Sequence, residues 1–187
     1  MLCGYIEHGR SSCDVYWPDP EQGTPEKFQV GGLEISLVSV NQINEFFWVR
    51  EIKIKVDSSC YKNLADENEH TVKQYHTVGW PDRKIPLPQH YKYLLQMVKL
   101  MQEVHVATKS PTIVHCSAGI GRTGTLIALY FLLDLATRQF QSAQHLSLSV
   151  FGTVRSLREQ RFGAVQTAEQ YEFIYEFLKL FFNKQLA

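Results

Sequence analysis

The sequence has no long apolar run. Its longest, residues 126–133, stops at Asp134, whereas a membrane-crossing helix needs about 20 apolar residues. It also has no net charge, with 19 Lys+Arg against 19 Asp+Glu in 187 residues. That balance removes any general reason to expect binding to nucleic acid or an anionic membrane, although a local basic site stays possible. Cysteine is scarce: Cys3, Cys13, Cys60 and Cys116 are scattered, with no CxxC, HExxH or other metal-ligand spacing. Such thiols read as reduced, and no metal or cofactor is expected. Met1-Leu2-Cys3-Gly4-Tyr5-Ile6 meets Glu7 too soon for a signal-peptide core, and no basic residue precedes it. Repeats and low-complexity tracts are lacking as well.

What is present is the composition of a folded domain, 44% apolar and 20% charged. At about 150 residues per domain, residues 1–187 read as a single domain with room for one sizeable core. Residues 2–6 read as a short buried strand. Residues 13–26 carry Pro18, Pro20, Gly23 and Pro25, so they read as a loop. Leu33, Ile35 and Leu37 alternate with their neighbours, as do Ile52, Ile54 and Val56 against Lys53 and Lys55. These runs suggest an antiparallel pair. A polar loop is expected over 57–69 and a further strand over 71–78. The second half has helical spacing: Tyr91, Leu94, Leu95, Val98 and Met101, then Phe151, Val154 and Leu157, then Tyr171, Ile174, Tyr175, Leu178, Phe181 and Phe182. Residues 125–135 are apolar nearly all round and should be a buried helix. Thr112-Ile113-Val114 reads as a short strand. Thr167 with Gln170 predicts a capping box for the last helix.

The sharpest feature is Ile113-Val114-His115-Cys116-Ser117-Ala118-Gly119-Ile120-Gly121-Arg122-Thr123-Gly124. A strand, a loop of small residues and a buried helix would follow one another. Successive backbone N–H groups in such a loop form an anion cradle, and the helix N-terminus adds positive partial charge. Gly119 and Gly121 permit the tight path. Arg122 supplies a planar fork for two phosphate oxygens. The donors that would hold a phosphate also favour thiolate over thiol, so Cys116 should be a nucleophile at neutral pH.

Gly119, Gly121 and Gly124 also spell GxGxxG, the dinucleotide fingerprint. That motif wants a second strand ending in an acidic residue about 20 positions on. Residues 141–150 hold no Asp or Glu, and an Arg inside the glycine turn is awkward for a dinucleotide. For a lone cysteine the better reading is an inert buried thiol, and Cys3, Cys13 and Cys60 receive it.

His115-Cys116, five residues, then Arg122-Thr123 resembles the signature of cysteine-dependent protein phosphatases, and 114–124 resembles their tyrosine-specific branch. Trp80-Pro81-Asp82 is similar to that family's mobile acid loop, and Cys13-Asp14-Val15-Tyr16-Trp17-Pro18 to one of its structural motifs. Arg158-Glu159-Gln160-Arg161 followed by Val165-Gln166-Thr167-Ala168-Glu169-Gln170-Tyr171 resembles its glutamine loop and helix. The implied fold is α/β, a central twisted mixed sheet flanked by helices, with part of the N-terminal layer missing. Residues 1–187 would thus be the C-terminal portion of one protein-tyrosine phosphatase domain.

The resemblance implies roles. Cys116 would attack phosphorus. Ser117, Ala118, Gly119, Ile120, Gly121 and Arg122 would hold the phosphate oxygens. Asp82 would be general acid and then base, and Gln166 would position water. His115 and Thr123 would support the loop, and Glu7 would brace the Arg122 fork. Partners would be tyrosine-phosphorylated proteins, in the cytoplasm or on the cytoplasmic region of a receptor-type parent, with no nucleic acid partner. The family usually has a small residue where Lys84 stands, so loop closure is expected to change. Beside phosphotyrosine hydrolysis stand two further readings: a phosphotyrosine-binding module with little turnover, and a cysteine phosphatase of relaxed (dual) specificity.

Overall fold

A computed structural model of the chain describes residues 1–7, 9–20, 23–57, 68–108, 110–142 and 145–186. Cys60 and most of the polar loop expected over 57–69 lie outside the described residues. The chain divides into two compact units, one of Met1 with Cys3–Val78, the other of Leu2 with Gly79–Ala187.

The first unit is β-structure. A hairpin pairs β1 (Ile6–Glu7) with β2 (Arg10–Ser11), turning at Gly9, whose φ of 73° suits a residue without Cβ. A four-stranded antiparallel sheet follows in the order β3 (Lys27–Val30), β4 (Leu33–Asn44), β5 (Phe47–Val56), β6 (Glu69–Thr77). The alternating runs pair as the sequence suggests, with Leu33 opposite Val56, Ile35 opposite Ile54 and Leu37 opposite Ile52. The strand expected over 2–6 is shorter: only Ile6 and Glu7 are strand, and Ile6 is exposed. Met1 is tied instead to β6, its ammonium donating to Tyr75 O at 2.6 Å and its carbonyl accepting from Thr77 N at 3.0 Å.

The sheet buries a charge. Arg50 shares a strand face with Ile52 and Val56 and is 3% exposed. Its Nη2 donates to Asp19 Oδ2 at 2.8 Å, and its Nη1 donates to Gln74 Oε1 at 3.2 Å and faces His76 Nδ1 at 3.1 Å. The guanidinium carbon lies 5.3 Å from the Trp17 ring centroid and 6.0 Å from that of Trp48, within cation–π range. Trp17 Nε1 also donates to Asp19 Oδ2, at 3.4 Å. Asp19 and Trp17 sit in the proline-rich stretch, so this pair fastens an irregular loop to the strands.

The second unit is helical. A single 3₁₀ turn (Pro88–His90) leads into α1 (Tyr91–Thr108), followed by α2 (Gly121–Gln141), α3 (Val150–Gln160) and α4 (Ala168–Phe182). The capping box is present: Thr167 Oγ1 accepts from Gln170 N, and the Gln170 side chain accepts from Thr167 N. The buried stripes are rotated from those expected. On α4 they are Gln170, Phe173, Ile174, Phe177 and Leu178, with Tyr175 half exposed. On α3 Val150, not Phe151, completes the face with Val154 and Leu157, and Phe151 is 66% exposed. On α2, Leu126, Leu129, Leu132 and Leu133 are buried, but Phe131 and Leu135 are half exposed. An apolar count gives a stripe's presence; rotation about the helix axis is set by what packs on it.

Thr112-Ile113-Val114 is not a strand, and Ile113 is 86% exposed. A strand requires a laddered neighbour. At the segment's end Leu2 N donates to His115 O at 2.9 Å. The α/β class therefore holds. All strand pairs among the described residues are antiparallel, so among those residues no parallel strand makes the sheet mixed.

Replacing Asp19 by Ala leaves the Arg50 charge buried without its carboxylate. The expected loss is about 3–5 kcal/mol, read from the urea transition. A loss below about 1 kcal/mol would show the pair to be no stronger than a surface contact.

Candidate active site

The site is built on the N-terminus of α2. The loop before it turns at Gly119, whose φ is 69°. Arg161, just past the end of α3, reaches that turn, with Nη2 donating to Ala118 O at 3.0 Å and Nε to Gly119 O at 2.9 Å. In a trans peptide the C=O and the following N–H point opposite ways. Holding these two carbonyls outward therefore turns the Gly119 and Ile120 N–H groups inward. A Cβ at Gly119 would meet Arg161 Nη2 at 3.1 Å. The inward N–H groups, with the helix N-terminus, form the anion cradle that the sequence predicts.

Cys116 sits in this cradle, 5% exposed. Burial pushes its pKa up. The Thr123 hydroxyl, the Thr123 and Gly119 amides and the Arg122 charge outweigh it, and the pKa lies below the ordinary thiol value. His115 Nδ1 lies 3.0 Å from Cys116 O. Burial lowers the His115 pKa, so the ring is neutral near pH 7 and can donate one N–H to that carbonyl without adding charge.

Arg122 is 1% exposed, and its Nη1 donates to Trp80 O at 3.0 Å. Its Nη2 donates to Asp82 Oδ1 at 3.2 Å, while the Asp82 side chain keeps 39% of its surface in solvent. The acid loop is thus anchored on the same guanidinium that belongs to the cradle. Its far side is anchored at Lys84 O, which accepts from Trp80 Nε1 at 2.8 Å and from Gln170 Nε2 at 3.3 Å. Lys84 was the position expected to disturb the loop, but the positive φ falls on Arg83, at 56°. Lys84 lies outside the left-handed region and contributes its carbonyl.

Gln166 is brought to the same place by a packed turn. Gly124 lets 164–165 approach α2, since a Cβ there would be 2.6 Å from Val165 N. Val165 N donates to Ile120 O at 3.0 Å. Arg158 holds the turn through Nε to Ala164 O and Nη2 to Val165 O, both at 2.9 Å. Val165 is buried at φ 59°, a costly conformation for a β-branched residue. The Gln166 Oε1 then lies 3.0 Å from where a Gly121 Cβ would stand, over the start of α2.

The structure therefore gathers Cys116, Arg122, Asp82, Gln166, His115, Thr123 and the loop 117–121 in the second unit. Glu7 stands on β1 in the first unit, where its Oε1 accepts from Gly4 N at 3.3 Å. Arg158 and Arg161 stand in the segment that resembles the glutamine loop and its helix, and Gln170 in the predicted capping box. The contacts make the arginines clamps on the site's two loops, and Gln170 a tie to the acid loop. Only the spacing of both arginines ahead of Gln166 hinted at this.

Alkylation of Cys116 by iodoacetamide should stay fast from alkaline pH to below the ordinary thiol range. It should fall only when acid protonates the sulfur. Thr123→Val and Arg161→Ala should each move the midpoint upward. A midpoint at the ordinary thiol value in the unaltered chain would mean that the donors do not act on the sulfur.

The model of the family described as protein-tyrosine phosphatase matches residues 1–179. A putative receptor-type tyrosine-protein phosphatase, mosPTP-1 of Culex quinquefasciatus, is 36% identical over 178 residues, 95% of this chain and 11% of that protein. Human tyrosine-protein phosphatase non-receptor type 18 is 34% identical over 176 residues, 94% of this chain and 34% of that protein. The crystal structure of the catalytic domain of the latter aligns with a TM-score of 0.78 at 32% identity, covering 97% of this chain and 58% of that one. The chain thus spans a small part of these curated relatives and little more than half of a solved catalytic domain. With the family's pattern matched from the first residue to the 179th, on a cradle that carries a buried cysteine and arginine, this chain belongs to the protein-tyrosine phosphatase family.

Proposed function

We propose that the chain hydrolyses phosphotyrosine in proteins through a cysteinyl-phosphate intermediate. The observation that carries this is the Cys116 thiol, made acidic by Thr123, two loop amides and Arg122, with a carboxyl group on the same guanidinium 3.2 Å away. A phosphate dianion would compete with Asp82 for that fork and seat its oxygens against the inward N–H groups. The Cys116 sulfur forms a bond to phosphorus as the P–O bond to the phenol breaks. Asp82, protonated, gives its proton to the departing oxygen. Water then attacks phosphorus, the S–P bond breaks and Asp82 takes the water's proton. Gln166, held over the start of α2, positions that water, and Thr123 donates to the leaving sulfur. Arg122 and the amides of residues 117–121 stabilise charge on the equatorial oxygens throughout. Metal is not needed on this route, because the guanidinium and the amides supply the positive charge.

Phosphotyrosine-containing proteins as substrates fit the relatives, among them solved complexes of PTPN18 with HER2 phosphopeptides. The relatives include receptor-type and non-receptor enzymes, and among the described residues no helix is long and apolar enough to cross a membrane. A cytoplasmic domain, free or within a receptor-type parent and acting in signalling, accords with both.

Aryl-phosphate hydrolysis should occur in the presence of a chelator and be lost in Cys116→Ser. In Asp82→Ala it should fall about 10²- to 10⁴-fold in kcat, the size of a general-acid contribution. Hydrolysis that survives Cys116→Ser, or that demands a divalent cation, would overturn the proposal. Phosphopeptide binding without phosphate release would instead favour a capture module.

A further inference from the structure

A second pair of chemically active atoms lies in the first unit and owes nothing to the phosphatase reading. The β1–β2 ladder pairs Ile6 with Ser11, and Ser12 N donates to Tyr5 O at 2.7 Å. Continued one residue further, this register sets Cys13 opposite Gly4 and so beside Cys3. The two sulfur atoms lie within 4.8 Å of each other, and the Cys3 thiol hydrogen-bonds to that of Cys13. Neither is in a disulfide. Cys3 is fully buried, whereas Cys13 retains solvent contact. Scattered cysteines that the sequence presents as inert are thus folded into a vicinal dithiol with one accessible member.

We propose that Cys3 and Cys13 form an oxidisable pair, which a hydroperoxide converts to a disulfide stapling the open end of the β1–β2 hairpin. The Cys13 thiolate attacks the terminal peroxide oxygen. The O–O bond breaks, an alcohol or water leaves, and Cys13 becomes a sulfenic acid. The Cys3 sulfur then attacks the Cys13 sulfur, the S–O bond breaks and water leaves. Two thiols and one hydroperoxide give one disulfide, one alcohol (or water) and one water. A bond of about 2.05 Å requires the sulfurs to draw together, a movement within reach of a change of side-chain rotamer.

The surroundings fix the order of events. Burial, and then the Asp14 carboxylate, raise the Cys13 pKa, against the Cys3 hydrogen bond and the Met1 ammonium, which lower it. The Cys116 pKa is lowered. Peroxide therefore reaches Cys116 first, and the pair closes later and faster at alkaline pH. The bridge is chemically separate from oxidation of the nucleophile.

Arg10 lies between the two cysteines, so trypsin separates residues 1–10 from residues 11–27 unless a bridge joins them. The full chain carrying Cys116→Ser is treated with hydrogen peroxide at neutral and alkaline pH. Remaining thiols are blocked with N-ethylmaleimide, and the digest is read by mass spectrometry. The expected product is the two peptides linked through Cys3 and Cys13, two hydrogens lighter than their sum, formed faster at alkaline pH and split by dithiothreitol. It should exceed any product linking Cys60, and this preference should vanish in urea. In Cys3→Ser the same treatment should carry Cys13 on to sulfinic acid, for want of a resolving thiol. A folded chain that yields Cys13 unoxidised, Cys13 as sulfinic acid with Cys3 still alkylated, or the same mixture with Cys60 as in urea would overturn the proposal.

Discussion

A thiolate in a protein interior needs donors to replace the water it has lost, and the site is arranged around that need. Burial works against the Cys116 anion, while Thr123, the loop amides and Arg122 work for it. The amides act only if their N–H groups point inward, and their direction is fixed by where the neighbouring carbonyls go. Arg161 takes two of those carbonyls on the far side of the loop. A residue that touches neither sulfur nor phosphate thus governs the electrostatics at both.

The same logic of close approach explains the least tolerant positions. Gly124 has no room for a Cβ because the backbone of 164–165 lies against it. Val165 accepts a left-handed conformation, and its backbone is held on both sides, by Ile120 O and by Arg158. Strain at one residue persists because several hydrogen bonds over-determine it. What the strain secures is the direction in which the chain leaves toward Gln166 and the capped start of α4.

Much of this was legible in the sequence where the signal is local. Cys116, Arg122 and the glycines lie within one turn of chain, and their spacing carries its own chemistry. The antiparallel β4–β5 pair follows from alternation, and the capping box from Thr167 and Gln170. Other features depend on partners far along the chain. Arg161 and Ala118 are 43 residues apart, and Arg158 looks like any helix-face cation until the turn beyond it folds back. Arg50 sits in a strand rich in lysine, where a charge reads as solvent-facing; Asp19, Gln74, His76, Trp17 and Trp48 make its burial tolerable. Phe151 and Tyr175 were misjudged because aromatic bulk signals core but not which side of a helix faces it. The segment 112–114 has strand composition, but the ladder depends on a neighbour.

Gln170 joins the start of α4 to the acid loop with one amide. Its oxygen receives the N–H groups of Gln166 and Thr167, while its nitrogen reaches Lys84 O on the acid loop. The oxygen's duty is to the helix end and the nitrogen's is to the loop. Loss of the bond to Lys84 O would therefore leave the amide oxygen's hold on the α4 terminus in place. Gln170 thus puts the loop that carries Asp82 and the turn that carries Gln166 on a common frame, so in the proposed mechanism the proton donor and the water holder are registered against each other.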